Sequence, residues 1–317
     1  MRTTVSALLL LLLAGCARET SPEQKQADQL LAQAREAYSR SAFQESRALF
    51  RSSVVLNERL GRISPAAEAL EHLAALEASA GRVDSALVLY REAADHHRTL
   101  ADRDAVRLTT LQSASLYRRM GNDRRAYEVL TEALRLANLF KEQEGAEEIR
   151  WALVGVCRSL ELDEEQTHLD ALLQSAMVSA DPASLARVYR ENGLSALARG
   201  DHAQAVEQLL KALTYSGQSP DSLLTIDVLY RLGMAHAAAG KTQQAFEAYS
   251  DALRRTDVTR GAQRIRYEML TRVGTVYLRN GAVADAAKFY RPALTGAMAA
   301  GDKLAEGYLF VQLGHCE

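Results

Sequence analysis

Read for the spacing of apolar positions, the chain falls into two unlike parts. Residues 5–17 read VSALLLLLLAGCA, an uncharged run with six consecutive leucines from Leu8 to Leu13. From about residue 27 onward, apolar positions recur instead at three- and four-residue intervals, the spacing of one face of an α-helix. Runs of β-branched residues are almost absent and prolines number only five. Helices are therefore predicted along the chain, and no strand.

Within the helical part, small residues stand at fixed offsets from large ones. In GNDRRAYEVLTEAL, Gly121 precedes Ala126, Leu130 and Ala133. The pattern returns as Gly200, Ala205, Leu209 and Ala212, as Gly240, Ala245, Tyr249 and Ala252, and as Gly281, Ala286, Tyr290 and Ala293. Earlier copies use Gly81, Ala86, Tyr90 and Ala93, and, more weakly, Ser41, Ser46, Phe50 and Ser53. One more small residue lies upstream of each of these six copies, and two others keep the same register: together they are Ala34, Ala74, Ala114, Gly155, Gly193, Gly233, Gly274 and Gly314, at spacings of 40, 40, 41, 38, 40, 41 and 40. A register this constant is the mark of a repeat array.

The pattern resembles the tetratricopeptide repeat, in its longer class of kinesin light chains and Rap-type bacterial regulators. The resemblance implies an all-α, right-handed superhelical solenoid of antiparallel helix pairs, A and B, with Gly233 and Ala245 letting paired backbones approach and Tyr249 filling toward the next unit. Gly240 is placed where helix A must end in a left-handed residue, and Asn122 and Asp201 are placed as N-caps of helix B. Residues 27–317 then hold about seven and a half units. The fourth, about 141–182, is irregular: Trp151, Val154 and Gly155 suit helix A, but LDEEQTHLDALLQS lacks the following alanine and aromatic. A distorted helix near 163–178 is expected, with Asp181-Pro182 restarting the array and a hinge or seam at the break.

By the same resemblance, set positions of helix A face a binding groove. They fall on Arg118, Arg119, Arg187, Arg190, Tyr230, Met234, Thr271, Thr275 and Arg279. Arginines beside an aromatic suit an acidic or C-terminal peptide segment. The asparagine and lysine set of the chaperone-binding carboxylate clamp is missing.

The leucine run is too short to span a bilayer. Thr3 to Ala17 is 15 residues, and at ~1.5 Å per residue it falls well short of the ~30 Å hydrocarbon core. Arg2, the leucines and the small residues after them form the three parts of a secretory signal. Leu13-Ala14-Gly15-Cys16 resembles the lipobox of bacterial lipoproteins, which implies cleavage before Cys16 and acylation of that residue. Residues 1–15 are then discarded and residues 16–26 form a polar tether. Several acyl chains anchor stably where one is marginal. Ala17 rather than aspartate after the cysteine implies the outer membrane, facing the periplasm.

Composition narrows the partners. The chain carries 38 basic and 40 acidic residues, and without Arg2 the mature part is slightly more acidic, so nothing draws it to nucleic acid or to an anionic membrane surface. No cofactor is expected. AHAAAGKT (Ala235–Thr242) passes a permissive phosphate-loop pattern, yet it lacks the strand that such a loop needs and falls on the turn between two predicted helices. The seven histidines (72, 96, 97, 168, 202, 236, 315) fit no metal-ligand spacing with cysteine or carboxylate. No nucleophile elbow is present, and the run Glu161, Asp163, Glu164, Glu165 reads as an acidic helix start. Cys157 and Cys316 lie about four units apart, too far to bridge at ~8–10 Å per packed helix. No enzyme is indicated.

Two functions remain. In the first, the chain is a lipid-tethered adaptor of the bacterial cell envelope that binds a partner protein or peptide. In the second, it is the sensory part of a larger envelope enzyme, such as a protease fusion, because YLFVQLGHCE begins an eighth helix A that no helix B follows. If the chain does end there, the last helix should dimerise or dock a partner through residues 304–316.

Overall fold

The structure is a computed structural model that describes residues 21–256, 262–279 and 281–316. Among these residues all regular structure is helical, and the chain divides into two compact units, Met1–Leu160 and Glu161–Glu317. The first unit holds α1 (Pro22–Ser39), α2 (Phe43–Arg59), α3 (Ile63–Ser79), α4 (Val83–Thr99), α5 (Arg103–Arg119), α6 (Asp123–Phe140) and α7 (Gln143–Ser159). The second holds α8 (Glu164–Ser179), α9 (Pro182–Ala198), α10 (His202–Ser216), α11 (Ser222–Ala238), α12 (Thr242–Thr256), α13 (Gln263–Arg279), α14 (Val283–Ala300) and α15 (Lys303–Gly314). Odd-numbered helices are the A helices of the repeats and even-numbered ones the B helices. Within each unit every helix packs against its sequence neighbours.

Two expectations need correction. The sequence places the end of the polar tether at Gln26, but α1 already starts at Pro22, where Ser21 caps Gln24 N–H at 3.1 Å and the Gln24 side chain accepts from Ser21 N–H at 2.9 Å. This reciprocal capping box satisfies two end donors and sets the helix start there. The distorted fourth helix B is also a continuous helix, α8, closed by left-handed Ala180. Its lack of the small-large pattern does not break the helix, because Leu169, Leu172 and Ala176 still give it a continuous buried face. Asp181 does restart the array, accepting from Ser184 N–H at 2.9 Å with Pro182 as the first helical residue.

Short turns join the helices because one residue does two jobs. After α5, Gly121 takes φ +72°. Its N–H donates to Arg118 C=O at 2.9 Å, and Asn122 N–H donates to Tyr117 C=O at 2.8 Å. That pair of bonds is a Schellman closure. The Asn122 side chain then accepts from Arg125 N–H at 3.1 Å and opens α6. The same pair of closing bonds recurs at Gly240 (φ +73°), whose N–H donates to Ala237 C=O at 3.2 Å while Lys241 N–H donates to His236 C=O at 2.8 Å.

Outside the fourth repeat, the A–B crossings are made by a small residue set under a large one sixteen positions later. Ala34 faces Phe50 and Ala74 faces Tyr90, each pair within one core. In the second unit glycine replaces alanine: a β-carbon on Gly233 would lie 2.5 Å from Tyr249 Cε1, and one on Gly274 2.6 Å from Tyr290 Cε1. Phe50, Tyr249 and Tyr290 are at most 1% exposed, so the contact excludes water. Burial pushes the Tyr249 hydroxyl up to a value that keeps it neutral at every physiological pH.

The most deeply buried charge among the described residues is Glu77. The Glu77 side chain on α3 is 2% exposed and meets Arg47 at 3.3 Å, Arg51 at 3.2 Å and Arg82. Burial alone would raise the carboxyl pKa, but the Arg82 hydrogen bond and the charges of Arg47, Arg82 and Arg51 outweigh it and hold the group below the usual carboxylate range.

Two stability tests follow from these contacts. Gly233→Ala should cost ~1–3 kcal/mol by overpacking against Tyr249, whereas Gly240→Ala, which meets no neighbour, should cost only about 1 kcal/mol of backbone strain; urea unfolding of the two variants would expose an error if their order were reversed. Because the folded pKa of Glu77 is lowered, its contribution is full above the unfolded value of about 4.3 and is lost as pH falls through the folded one. Glu77→Gln should therefore cost about 2–3 kcal/mol at pH 7, since Arg51 and Arg82 can turn to water but the largely buried Arg47 cannot, and should flatten the loss of stability below about pH 4.

Candidate functional site

The first unit contains an open cleft of about 690 Å³, within the range of sites that hold a ligand or a partner's side chains. Its walls are two B helices. Leu87, Tyr90, Ala94 and His97 of α4 stand on one side, and Val129, Ala133, Leu136 and Phe140 of α6 on the other. The floor is α5, through Val106, Thr109, Thr110 and Ser113.

The floor is low because the third repeat lacks two core leucines. In the second repeat Leu70 and Leu73 are 1% and 4% exposed and fill the core under α4. One period on, their places are taken by Thr110 and Ser113. These hydroxyls are spent on their own helix: Thr110 Oγ1 donates to Val106 C=O at 2.8 Å, Ser113 Oγ to Thr109 C=O at 2.9 Å, and Thr109 Oγ1 to Ala105 C=O at 2.9 Å. What they offer the cleft is small and mostly apolar.

Charge is confined to the edges. Arg103 lies over the Phe140 ring at 3.7 Å and donates to Glu142 at 3.4 Å. Arg125 donates to Glu128 at 2.6 Å, Arg107 to Glu148 at 2.9 Å, and Arg98 pairs with Asp95. Arg91 has no acidic partner among the described residues. The acidic groups of the lining are all engaged: Asp102 caps α5, Glu132 holds Arg135 and Glu142 holds Arg103. His97, 8% exposed, bonds Glu71 through Nε2 at 3.1 Å and leaves Nδ1 without a partner.

The groove residues expected from the sequence lie elsewhere, on the A helices, and most are already occupied. Arg118 reaches from α5 to α7, where its guanidinium lies over Gly155 and donates to that residue's C=O at 3.5 Å. Arg107 fills the space over Gly145 in the same way. In the second unit Arg187 pairs with Asp221 at 3.8 Å, and Arg190 with Asp227 at 3.0 Å and Glu191 at 2.8 Å. Tyr230 is 5% exposed, inside the core around Tyr249 rather than on a groove, with Arg231 5.3 Å from its ring centre. Met234 packs on that core. Thr271 and Thr275 donate to carbonyls of α13 at 2.8 and 2.9 Å. Arg119 and Arg279 are exposed. The A-helix face is thus stitched internally, helix to helix, by opposite charges about one period apart, a pairing that a search for ligand-facing positions passes over.

Other sequence candidates resolve simply. AHAAAGKT is the end of α11, the Gly240 turn and the start of α12. Burial, reinforced by Lys241, lowers the His236 pKa within it. Among the described residues no group of three or more histidines, cysteines and carboxylates is placed to hold a metal, and His72 stacks on Phe50 at 4.9 Å. Cys157 is buried and Cys316 partly exposed. On α15, Leu309 is fully buried, whereas Leu304, Phe310 and Val311 are more than half exposed. Cys16 lies outside the described residues.

Comparison with known proteins agrees with this geometry. Family models described as tetratricopeptide repeat match residues 184–257 and 230–303, and a model described as soluble NSF attachment protein matches residues 4–140. A search of curated protein sequences finds no significant match. Among solved structures, a tetratricopeptide repeat protein from Parabacteroides merdae is similar at 13% identity and a TM-score of 0.65, covering 91% of this chain and 99% of its own. BtubC (BKLC) from P. vanneervenii is similar at 24% identity and a TM-score of 0.59, covering 69% and 93%. A Rap protein complexed with Competence and Sporulation Factor is similar at 11% identity and a TM-score of 0.53, covering 93% and 98%. The chain has the all-helical fold of the tetratricopeptide repeat proteins.

If the cleft is a deficit of two leucines, returning them should stabilise the protein. Thr110→Leu with Ser113→Leu should raise the thermal midpoint by the burial of roughly 1–2 kcal/mol of new apolar contact. Ser46→Leu, at a position that is 0% exposed with its hydroxyl bonded to Ala34 C=O, should lower it by ~1–3 kcal/mol. Calorimetry that found the double variant as destabilised as Ser46→Leu would show the floor to be fully packed.

Proposed function

We propose that this chain is a non-catalytic scaffold of the bacterial cell envelope, held to a membrane by lipid on Cys16 and binding a partner protein through its repeats. The observation that carries the protein-binding part is the open cleft of the first unit, an apolar recess with charged edges on a fold whose function is to present long surfaces. The fold match to the tetratricopeptide repeats supports it, as does the Rap protein, a structural neighbour solved with Competence and Sporulation Factor bound.

The anchoring part rests on sequence. Leu13-Ala14-Gly15-Cys16 follows a leucine run of export length. None of the described helices is long and apolar enough to cross a membrane. With α1 starting at Pro22, Ala17 to Ser21 is all that separates the anchor from the first repeat, so the array would sit close against the bilayer surface. Placement at the outer membrane, facing the periplasm, follows from Ala17.

Replacing Cys16 tests this directly. Intact protein should take up labelled palmitate and sediment with envelope membranes, and Cys16→Ser should lose both the label and the membrane fraction while keeping its helical circular-dichroism spectrum. Both forms sedimenting together with the same crosslinked partners would overturn the anchoring.

A further inference from the structure

We infer that the cleft between α4 and α6 is a docking groove for an amphipathic helix of a partner protein, apolar along the face that enters and acidic at its edges. This rests on the scaffold reading above and places the contact on the B-helix side of the first unit, away from the internally paired A-helix face.

Three observations choose the occupant. The first is shape. The α4 wall from Leu87 to Arg98 runs for about 16 Å at ~1.5 Å per residue, and the α6 wall from Arg125 to Phe140 for about 22 Å. Two helices flanking a recessed third form a trough along which one face of a further helix of three to four turns can lie, its side chains entering the recess.

The second observation is the hydrogen-bonding character of the lining. An extended peptide brings unpaired backbone N–H and C=O groups that need partners once buried. The walls are helices whose backbones bond to themselves, the floor hydroxyls are spent on α5 carbonyls, and the lining contains no asparagine or glutamine. A helix satisfies its own backbone and asks nothing of such a surface. Its side chains at i, i+3, i+4 and i+7 would enter over Thr110 and Ser113, where leucines stand one repeat earlier.

The third is charge. Five arginines line the cleft against three acidic residues, and each of those acids is already engaged inside the chain. Arg91 is exposed at one edge and has no acidic partner among the described residues. A partner carboxylate beside Arg91 gains a charge-assisted bond, whereas a lysine there meets only like charge.

The test uses the full chain and a fluorescein-labelled peptide of about 18 residues, with leucine at i, i+3, i+4 and i+7 and glutamate along both borders of that stripe. Fluorescence polarisation should show binding that weakens with added salt. A peptide with lysine for glutamate should not bind, nor should one with a central proline. Thr110→Leu with Ser113→Leu, which fills the floor, and Arg91→Glu, on the exposed edge, should each weaken binding about tenfold or more, the scale of a lost interface anchor. Arg187→Glu in the second unit should leave it unchanged. Wild-type affinity in both cleft variants would overturn the inference, as would equal binding of the lysine peptide. Crosslinking in envelopes separates this from the scaffold reading. A partner captured equally by wild type and cleft variants sinks the groove and keeps the scaffold. Peptide binding at the cleft with no envelope partner captured keeps the groove and sinks the scaffold.

Discussion

Everything in each unit hangs on one contact, a small residue in helix A lying against a large one in helix B. Glycine or alanine at the crossing lets the two backbones approach until the aromatic or leucine on the other side is sealed from water, as at Gly233 and Tyr249. Neither helix could hold its place alone, since isolated helices of this length are marginal in water. The left-handed glycine turns matter because they deliver the two partners at a fixed offset of sixteen residues. Where the small residue has no large partner in the same unit, as at Gly155 and Gly145, arginine stems from α5 take the space. The unit keeps its density and exchanges an apolar filler for a charged one.

The cleft is the counterpart of that rule. In the third repeat the crossing itself is intact, with Ala114 and Leu130 both buried, so α5 and α6 stay where the fold needs them. Only the residues one turn away, Thr110 and Ser113, are undersized. The result is a recess with rigid walls, which no movement of the helices can close without breaking the crossing beside it. A surface of this kind gives up few hydrogen bonds when it dries, because its hydroxyls never relied on solvent.

Fold and turns were legible in the sequence because the chemistry behind them is local. Gly121 with Asn122, and Gly240 with its closing bonds, are read from adjacent residues. The crossings are read from a constant period. The site was less legible. Arg118, Arg187 and Arg190 occupy positions from which a related array would reach a ligand, but whether an arginine is free depends on the charge one repeat away, and Asp221 and Asp227 are visible as partners only once the helices are stacked. Tyr230 looked like a groove aromatic and is a core one, since the neighbouring Tyr249 draws it inward. The cleft did have a signal, the replacement of Leu70 and Leu73 by Thr110 and Ser113 one period on, and it is found by asking where the repeat is underfilled rather than which residues look reactive.

The charge pairs between successive A helices carry a further meaning. Singly they add little to stability. Yet only the acids keep a common place, Asp28, Glu148 and Asp227 lying six or seven residues before the small residue of their crossing, while Arg62, Arg107 and Arg190 reach them from different positions. Repeats whose hydrophobic contacts are nearly interchangeable are thereby made distinguishable. A misordered stack, or an exchange of repeats between two chains, would leave these charges without their partners, and the array carries in its surface the information that keeps its own units in sequence.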